Sequence, residues 1–247
     1  RDLIVALEAH HSKCYHLGMG KNVSKSSLAR ANQDRDYHIF EEYAYYLVSE
    51  ARQKRVNHIF KLGGNVYAFD STTIDLCLSV FWWAKFRKKK GGIKVHTLYD
   101  VETQIPAFFH ITEASVHDSK AMIEIPYEPG SYYIFDRGYN NFKMLNRIHL
   151  IEAYFVVRAK KNLQCKFIKW KRRLPKNVLS DASVLLTGFY PKQYYPEPIR
   201  LVKYWDEEQE REFIFITNAM HISALQVAEL YKNRWQVELF FKWLKQH

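Results

Sequence analysis

The sequence has few cysteines, no long apolar run and few acidic residues, and each shortage excludes a class of protein. Its three cysteines stand far apart without Cys-x-x-Cys spacing, which argues against a disulfide framework and a zinc site. The densest apolar stretch, residues 78–84, is far shorter than the roughly 18 residues of a membrane span. A signal peptide and an initial methionine are both absent. We therefore expect a fragment of a cytoplasmic protein that does not associate with membranes.

Basic residues outnumber acidic ones, with 37 Lys and Arg against 26 Asp and Glu and a formal charge of +11. Residues 158–176 contain no acid at all, and a second basic cluster includes Lys85 and residues 87–90. Such clusters attract phosphate backbones by counterion release, and the aromatic side chains between them can stack on bases. A solvated basic face above core aromatics explains the same composition, so charge alone leaves nucleic-acid binding open.

The apolar periodicity predicts an α/β fold. At 47% hydrophobic and 16% aromatic residues, the chain can bury a large core, which excludes wholesale disorder. Helical spacing marks the first sixty or so residues, with a long helix predicted at residues 36–56. After residues 63–65, strand patterns at 66–70, 93–99 and 105–111 precede alternating helices and strands at 116–125, 132–135, 140–150 and 153–157. This order predicts a mixed sheet with flanking helices.

Three regions follow from these patterns. Residues 1–62 form a helical N-terminal region, partial in this sequence, with a DNA-binding or accessory role. Residues 63–159 and 219–247 form the α/β core. Between them, residues 160–218 hold several prolines and short strand patterns at 183–189, 199–205 and 212–217, which predict a β-rich basic insertion. A last helix is predicted from the N-cap Ser223 to the end of the chain.

The last helix carries a polar stripe of Tyr231, Arg234, Glu238 and Lys245. At about 100° per residue these side chains fall within roughly 60° of one another, and most of the remaining circumference is apolar. A buried carboxylate needs a partner cation, and Arg234 lies one turn away. An ordinary amphipathic helix with a wet side explains the same pattern.

Two aspartates follow apolar strand patterns, Asp70 after residues 66–69 and Asp136 after residues 132–135. Carboxyl ends of strands line the ligand crevices of α/β sheets, although each Asp alone suits a turn or N-cap better. Together with Glu238 they predict a three-carboxylate site for divalent metal. Two such cations about 3.5–4 Å apart activate the attacking oxygen and stabilise the leaving oxygen of a phosphodiester.

The helix pattern Tyr-x2-Arg-x3-Glu-x6-Lys resembles the signature of the insertion-sequence-four family of bacterial DDE transposases. Phe69-Asp70-Ser71-Thr72 and Phe135-Asp136-Arg137-Gly138-Tyr139 look like the family segments that carry the first and second catalytic Asp. Residues 85–87, 91–96, 111–114 and 117–118 are also similar to the family core, and weaker similarity extends over residues 27–37. The similarity is strongest over residues 66–247.

This resemblance implies a ribonuclease-H-like core, a strand-rich insertion before the catalytic Glu, and cut-and-paste transposition. Asp70, Asp136 and Glu238 would be catalytic residues and would hold two Mg²⁺ ions, with Mn²⁺ as a substitute. In the family's reaction, a freed 3′-hydroxyl attacks the opposite strand to form a hairpin, which is reopened before strand transfer.

The expected partners are double-stranded DNA, both element ends and target, and a second copy of the chain in a synaptic homodimer. DNA contacts are expected from Tyr231, Arg234, Lys245, Arg137, Lys85, Arg87, Lys169, Lys171, Arg172 and Arg173. Trp170 and Trp205 are candidates for holding a flipped base.

Two alternatives stay open from the sequence. A ribonuclease-H-like, structure-specific nuclease would use the same carboxylates to cut DNA without joining it. A decayed or domesticated relative would only bind DNA, although the intact acidic triad argues against this alternative. The pair His117-Asp118 resembles a metal or base pair, but it also suits the start of a helix, where Asp interacts favourably with the helix dipole.

Overall fold

In a computed structural model the chain divides into two compact units, residues 1–50 and residues 51–247. The structure describes residues 2–18, 23–54, 59–76, 85–87 and 90–246. Across these residues, no helix combines the length and the apolar character that a bilayer crossing requires.

The first unit is helical. It contains α1 (Asp2–Ala9), α2 (His11–Cys14), a 3-10 helix (Tyr15–Leu17), α3 (Lys25–Asp34) and α4 (His38–Gln53), which continues past residue 50. Ser24 caps α3, since its side chain accepts a hydrogen bond of 3.1 Å from the amide of Ser27. The predicted helix at residues 36–56 forms as α4, and its large apolar side chains Ile39, Phe40, Tyr43, Tyr46 and Leu47 are exposed.

The second unit is built on a sheet whose described strands are β1 (Val66–Leu76), β2 (Lys85–Arg87), β3 (Lys90–Asp100), β4 (Ile105–Glu113), β5 (Tyr132–Phe135), β6 (Tyr154–Arg158), β7 (Cys165–Trp170), β8 (Val178–Leu186), β9 (Ile199–Asp206) and β10 (Arg211–Thr217). The helices that accompany it are two 3-10 helices (Asp118–Glu124 and Arg137–Tyr139), α5 (Phe142–Leu150), α6 (Phe189–Tyr194), α7 (Ala224–Asn233) and α8 (Trp235–Gln246). Residues 116–125 are therefore not the predicted α-helix, and the sequence patterns did not predict β7 or α6.

The strand order is β2-β3-β1-β5-β6-β10-β9-β8-β7, and β4 pairs with β3. Strands β1, β3 and β4 are antiparallel, whereas β5 and β6 run parallel to β1. This arrangement confirms the predicted α/β class, a mixed sheet with flanking helices. Strands β7 to β10, from the stretch predicted as a β-rich insertion, continue the same sheet because β10 pairs with β6.

Two glycines allow β1 and β5 to start side by side. A Cβ on Gly64 would lie 2.0 Å from the carbonyl oxygen of Gly130, so only glycine fits there. Gly130 itself has a φ of 74°, in the left-handed region that favours glycine. The amide of Tyr132 then donates to the carbonyl of Asn65 at 2.8 Å, which opens the parallel ladder.

Alternate residues of β1 pack into two different cores, one on each face of the sheet. Tyr67 and Phe69 face α5, whereas Val66 and Ala68 face α7 and α8. Because the alternation continues along the strand, Asp70 projects toward the α7–α8 face.

Candidate active site

Three adjacent strands reach the same level of the sheet side by side. Phe69 of β1 is the register partner of Phe135 of β5, which in turn is the partner of Val157 of β6. The residues that follow these three are Asp70, Asp136 and Arg158. The sheet therefore aligns two carboxylates and one guanidinium in a row at its α7–α8 face.

Asp70 does not end its strand, so that part of the prediction is wrong. β1 continues to Leu76, and Asp70 pairs with Thr97 of β3. Only the pairing with β5 stops, because β5 ends at Phe135. The carboxylate thus lies where β1 loses one neighbour and keeps the other, and its side chain is 20% exposed.

Asp136 stands at the N-cap position of the 3-10 helix Arg137–Tyr139, but its side chain makes no capping hydrogen bond. It instead accepts a hydrogen bond of 3.1 Å from the hydroxyl of Tyr231 in α7. This carboxylate therefore faces the last two helices rather than its own turn.

The predicted N-cap of the last helix is confirmed, but the helix is not continuous. Ser223 and Gln226 form a complete capping box at the start of α7. The helix then breaks at Arg234, between Asn233 of α7 and Trp235 of α8. Because of the break, the regular 100° spacing that predicted a polar stripe does not extend unchanged from Tyr231 to Lys245.

The side chain of Arg234 lies between two carboxylates. Its Nη1 atom donates to Oδ2 of Asp70 at 2.7 Å, and its Nη2 atom donates to Oε1 of Glu238. The guanidinium is also 5.7 Å from the centroid of the Tyr231 ring, and only 14% of the side chain is exposed. One cation from the helix break thus connects the carboxylates of β1 and α8.

Partial burial and neighbouring charges shift the pKa values of the side chains in this cluster. The pKa of Asp70 is raised to about 6, foremost by burial and also by the charges of Glu238 and Asp136, while Arg234 and the Ser71 amide act to lower it. Burial also raises the pKa of Tyr231 to about 12. Burial alone would lower the pKa of Arg234, but Asp70 foremost shifts it upward, so the guanidinium stays charged.

The carboxylate oxygens of Asp70, Asp136 and Glu238 are hard ligands of the kind that a divalent cation prefers. Those of Asp70 and Glu238 already contact the positive charge of Arg234. Among the residues that the structure describes, no three His, Cys, Asp or Glu side chains lie close enough together to hold a metal ion. The cation between Asp70 and Glu238 is the guanidinium of Arg234.

Arg158 is a functional candidate that the sequence patterns missed. It lines an open cleft of about 1130 Å³ together with Asp136, Tyr231, Arg234 and Glu238. Its guanidinium stacks over the ring of Phe213 at 4.9 Å. A signal for it exists in the sequence, because Arg158 follows the apolar strand pattern at residues 153–157 just as Asp136 follows its own.

The other predicted DNA contacts differ in their surroundings. Arg137 and Lys245 are exposed, and neither is ion-paired within the described part of the chain. Lys171 forms an ion pair of 3.0 Å with Asp181 of β8, so its charge is partly neutralised. The side chains of Lys85 and Arg87 lie outside what the structure describes.

The end of β7 and the residues just after it form a surface of basic and aromatic side chains. Lys169, Arg172 and Arg173 are exposed there, and Trp170 stacks on Phe167 with centroids 5.0 Å apart. Strand β7 is four positions from β6 in the sheet, or roughly 19 Å at about 4.8 Å per strand. Trp205, the other aromatic candidate, is 39% exposed on β9.

Comparisons with known proteins agree on one family. Residues 61–247 match the family described as transposase DDE domain. The chain is 35% identical to transposase y4zB of Sinorhizobium fredii over 72% of this chain and 51% of that protein. It is 24% identical to the insertion sequence IS5377 transposase of Geobacillus stearothermophilus over 90% of this chain and 58% of the relative. The chain thus spans little more than half the length of these relatives.

A search of solved structures finds piggyBac transposase, in a synaptic complex with hairpin DNA determined by cryo-EM. The match has a TM-score of 0.43 and 10% sequence identity, and it covers 72% of this chain and 40% of that chain.

Proposed function

The chain belongs to the transposase DDE domain family, and we propose that it is the catalytic part of a bacterial transposase that cuts and joins insertion-sequence DNA. The observation that supports this proposal is that Arg234 donates to both Asp70 and Glu238, while Tyr231 of α7 donates to Asp136 on the same face of the sheet. A phosphodiester-transfer site needs carboxylates beside cationic phosphate contacts, and this face carries both kinds of side chain.

Asp70, Asp136 and Glu238 are the residues that would hold divalent metal. Members of this family generally use divalent metal ions. We propose two Mg²⁺ ions with Mn²⁺ as a substitute, because hard carboxylate oxygens suit both. Bound there, such ions supply Lewis-acid stabilisation of the attacking and leaving oxygens of the phosphodiester.

The chain's own cations would hold the DNA phosphates next to the carboxylates. Arg158 lies beside Asp136 in the row, and Tyr231 and Arg234 come from the helices above it. Guanidinium groups bind phosphate oxygens in a bidentate fork, which fixes the orientation of the strand. Arg137 and Lys245, both exposed, are proposed to contact phosphates farther from the reacting bond.

The basic surface of β7 would bind the DNA duplex at some distance from the phosphodiester that is cleaved. Its distance of roughly 19 Å from β6 corresponds to about six base pairs at 3.4 Å each. Lys169, Arg172 and Arg173 are proposed to contact the backbone there, and the exposed Trp170 is a candidate to stack on a flipped base. Lys171 contributes less because it is paired with Asp181. Lys85 and Arg87 remain proposed contacts on sequence grounds alone.

The cleft has an acidic side at the β9–β10 turn as well as the basic side at Arg158. Residues 206–208 at the β9–β10 turn are acidic, and Glu207 and Glu208 are paired with Lys176 and Lys232. Phosphates would be repelled from this end and favoured at the Arg158 end. A path from the row of strand ends to β7 would pass beside this acidic turn, because β10 and β9 lie between β6 and β7 in the sheet.

The proposed reaction sequence is that of cut-and-paste transposition. A 3′-hydroxyl freed at the element end attacks the opposite strand, and the resulting hairpin is reopened before transfer to the target. We propose that the protein acts in the bacterial cytoplasm, on chromosomal DNA, as a homodimer that holds two element ends together.

Cleavage and joining on one substrate provide the test. Linear DNA that carries the ends of the encoding insertion element, incubated with the protein, Mg²⁺ and a target plasmid, should give hairpin ends and joined products. Denaturing and native gels distinguish these products. Nicks without joined DNA would favour the structure-specific nuclease instead. Binding without any cleavage would favour a relative that only binds DNA.

Replacing Arg158 by Met is expected to weaken binding to every duplex sequence and to reduce the salt dependence of binding. Because one phosphate contact is lost, the slope of log K against log salt should fall by about 1. Fluorescence anisotropy with two unrelated duplexes, from low to moderate salt, measures both quantities.

The matched control is Arg147→Met in α5, on the opposite face of the sheet, where Arg147 donates to the carbonyl of Ile123 at 3.4 Å. This change should leave the slope close to that of the unaltered protein. An unchanged slope in Arg158→Met would remove Arg158 from the proposed DNA path.

A further inference from the structure

Strand β1 loses one neighbour just where it carries Asp70. Beyond Phe69 the described strand pairs with β3 alone, because β5 ends at Phe135. The amide of Ser71 donates to Oδ1 of Asp70 at 2.8 Å. The orientation of the Asp70 carboxyl group therefore depends on how firmly the strand holds Ser71.

The hydroxyl of Ser71 is bonded on the other face of the sheet. Successive side chains of a strand point to opposite faces, so Ser71 faces the α5 side while Asp70 faces α7 and α8. Its Oγ donates to Oδ1 of Asp118 at 2.7 Å. Asp118 is the first residue of the 3-10 helix Asp118–Glu124, so this bond connects β1 to a separate element of the fold.

A lysine from the neighbouring strand holds Asp118 in place. Lys94 of β3, the register partner of Thr73, forms an ion pair of 3.0 Å with Oδ1 of Asp118. The same ammonium donates to the carbonyl of Val116 at 2.6 Å, and only 15% of the side chain is exposed. Burial would raise the pKa of Asp118, but the hydrogen bonds from Ser71 and Lys94 keep it below its ordinary value.

These contacts give a role to three sequence segments outside the carboxylate site. The segments that follow Asp70, surround Lys94 and contain His117-Asp118 meet in one cluster. His117 is engaged elsewhere, since its Nδ1 accepts from the amide of Ser119 at 3.2 Å. Asp118 therefore serves as an anchor for β1 and Lys94 rather than as half of a His-Asp pair.

We propose that Ser71, Asp118 and Lys94 form a positioning cluster that fixes the Asp70 carboxylate for divalent-metal binding. The proposal rests on the proposed function, because it takes Asp70 as a metal ligand. Groups that orient a ligand from behind typically change metal affinity by about 10- to 100-fold when they are removed. None of the three side chains contacts the Asp70 carboxylate with its own polar atoms; they act on it through the Ser71 amide.

Binding of Mn²⁺ to the DNA-free protein, measured by titration calorimetry, tests the cluster without relying on activity. Ser71→Ala is expected to weaken Mn²⁺ binding by about tenfold, and Ser71→Thr, which keeps the hydroxyl, should restore it. Ser119→Ala, in the 3-10 helix beside Asp118, is the matched control and should bind Mn²⁺ like the unaltered protein. Thermal unfolding without metal checks that each variant is folded.

A double-mutant cycle separates one connected cluster from independent structural effects. Asp118→Ala should also weaken Mn²⁺ binding, and Ser71→Ala combined with it should add almost nothing, because both changes break the same connection. If Asp118→Ala fails to fold, the comparison of Ser71→Ala with Ser71→Thr decides alone. Affinity unchanged in Ser71→Ala, or losses that simply multiply, would overturn the cluster while leaving the proposed function intact. Absence of Mn²⁺ binding in the unaltered protein would overturn the metal site and the cluster with it.

Discussion

Asparagine in place of Asp136 is expected to lower metal-dependent DNA cleavage by at least about 10³-fold, while DNA binding stays close to that of the unaltered protein. A ligand carboxylate supplies several kcal/mol of transition-state stabilisation through the bound metal, and about 4 kcal/mol corresponds to that factor. Asparagine has the same shape, and its amide oxygen can still accept from the Tyr231 hydroxyl, which is 3.1 Å from the carboxylate. The substitution therefore removes the charge and leaves the helix contact.

Gel assays of strand cleavage with Mg²⁺ and anisotropy measurements of binding check the two halves of this prediction. Asp75→Asn is the matched control, because Asp75 is exposed on β1, five residues beyond Asp70. It should leave cleavage nearly unchanged. Cleavage that survives in Asp136→Asn would mean that Asp136 is not part of the active site.

The strand that precedes Asp136 is predicted correctly from the sequence because its signals are local. Tyr132 to Phe135 form β5 with the predicted bounds, since a short apolar run followed by a polar turn is readable without tertiary context. The strand of Asp70 was predicted to end too early. Its extension to Leu76 starts with four successive polar residues, 70–73, and depends on pairing with β3, which is a long-range contact.

The last helix likewise combines a local signal, which the sequence predicts, with a long-range contact, which it does not. The Ser223 cap is a local signal and was predicted correctly. The break at Arg234 has no proline or glycine to announce it. It occurs where Arg234 meets Asp70, a residue 164 positions earlier in the chain. Periodicity alone could group Tyr231, Arg234 and Glu238 on one face, but the partner of each side chain had to come from the fold.

The stretch 158–176 was interpreted from the sequence as uniformly basic because it contains no acid. In the folded sheet, Asp181 of β8 reaches back to Lys171, and Asp181 is also paired with Arg200 of β9. Charge counted along the chain cannot include such cross-strand partners. The exposed cations available to DNA are therefore fewer than the sequence suggests.

The pair Arg200–Asp181 leads to the second large expected effect, on stability. Both side chains are nearly inaccessible, at 2% and 4% exposure, and two hydrogen bonds of 2.7 Å join them. Arg200 also donates to the carbonyls of Ala219 and Ile222, at 3.0 and 2.7 Å, just before the Ser223 cap. Replacing Arg200 by Met should lower the free energy of unfolding by about 3–5 kcal/mol, because it leaves a buried carboxylate and two carbonyls without this partner.

The destabilisation should depend on pH, and its direction follows from Asp181. Burial raises the pKa of Asp181, but hydrogen bonds from Arg200 and Lys171 outweigh it and lower the pKa overall. The pair therefore stabilises the fold fully above the unfolded pKa of about 3.9 and loses this contribution as the pH falls through the lower folded pKa. Without Arg200 the buried carboxyl gains by protonation, so Arg200→Met should be most destabilised relative to the unaltered protein near neutral pH.

Urea denaturation at pH 7 and at about pH 4 measures both effects. Lys203→Met is the matched control on the same strand, because Lys203 is 3.9 Å from Glu212 and both side chains are well exposed. Exposed pairs contribute about 0–1 kcal/mol, so this change should be nearly neutral at both pH values. Equal effects of the two substitutions would mean that the sheet, rather than the buried pair, fixes the segment before α7. A large loss confined to Arg200→Met would show that β9 stabilises the start of the helix that carries Tyr231.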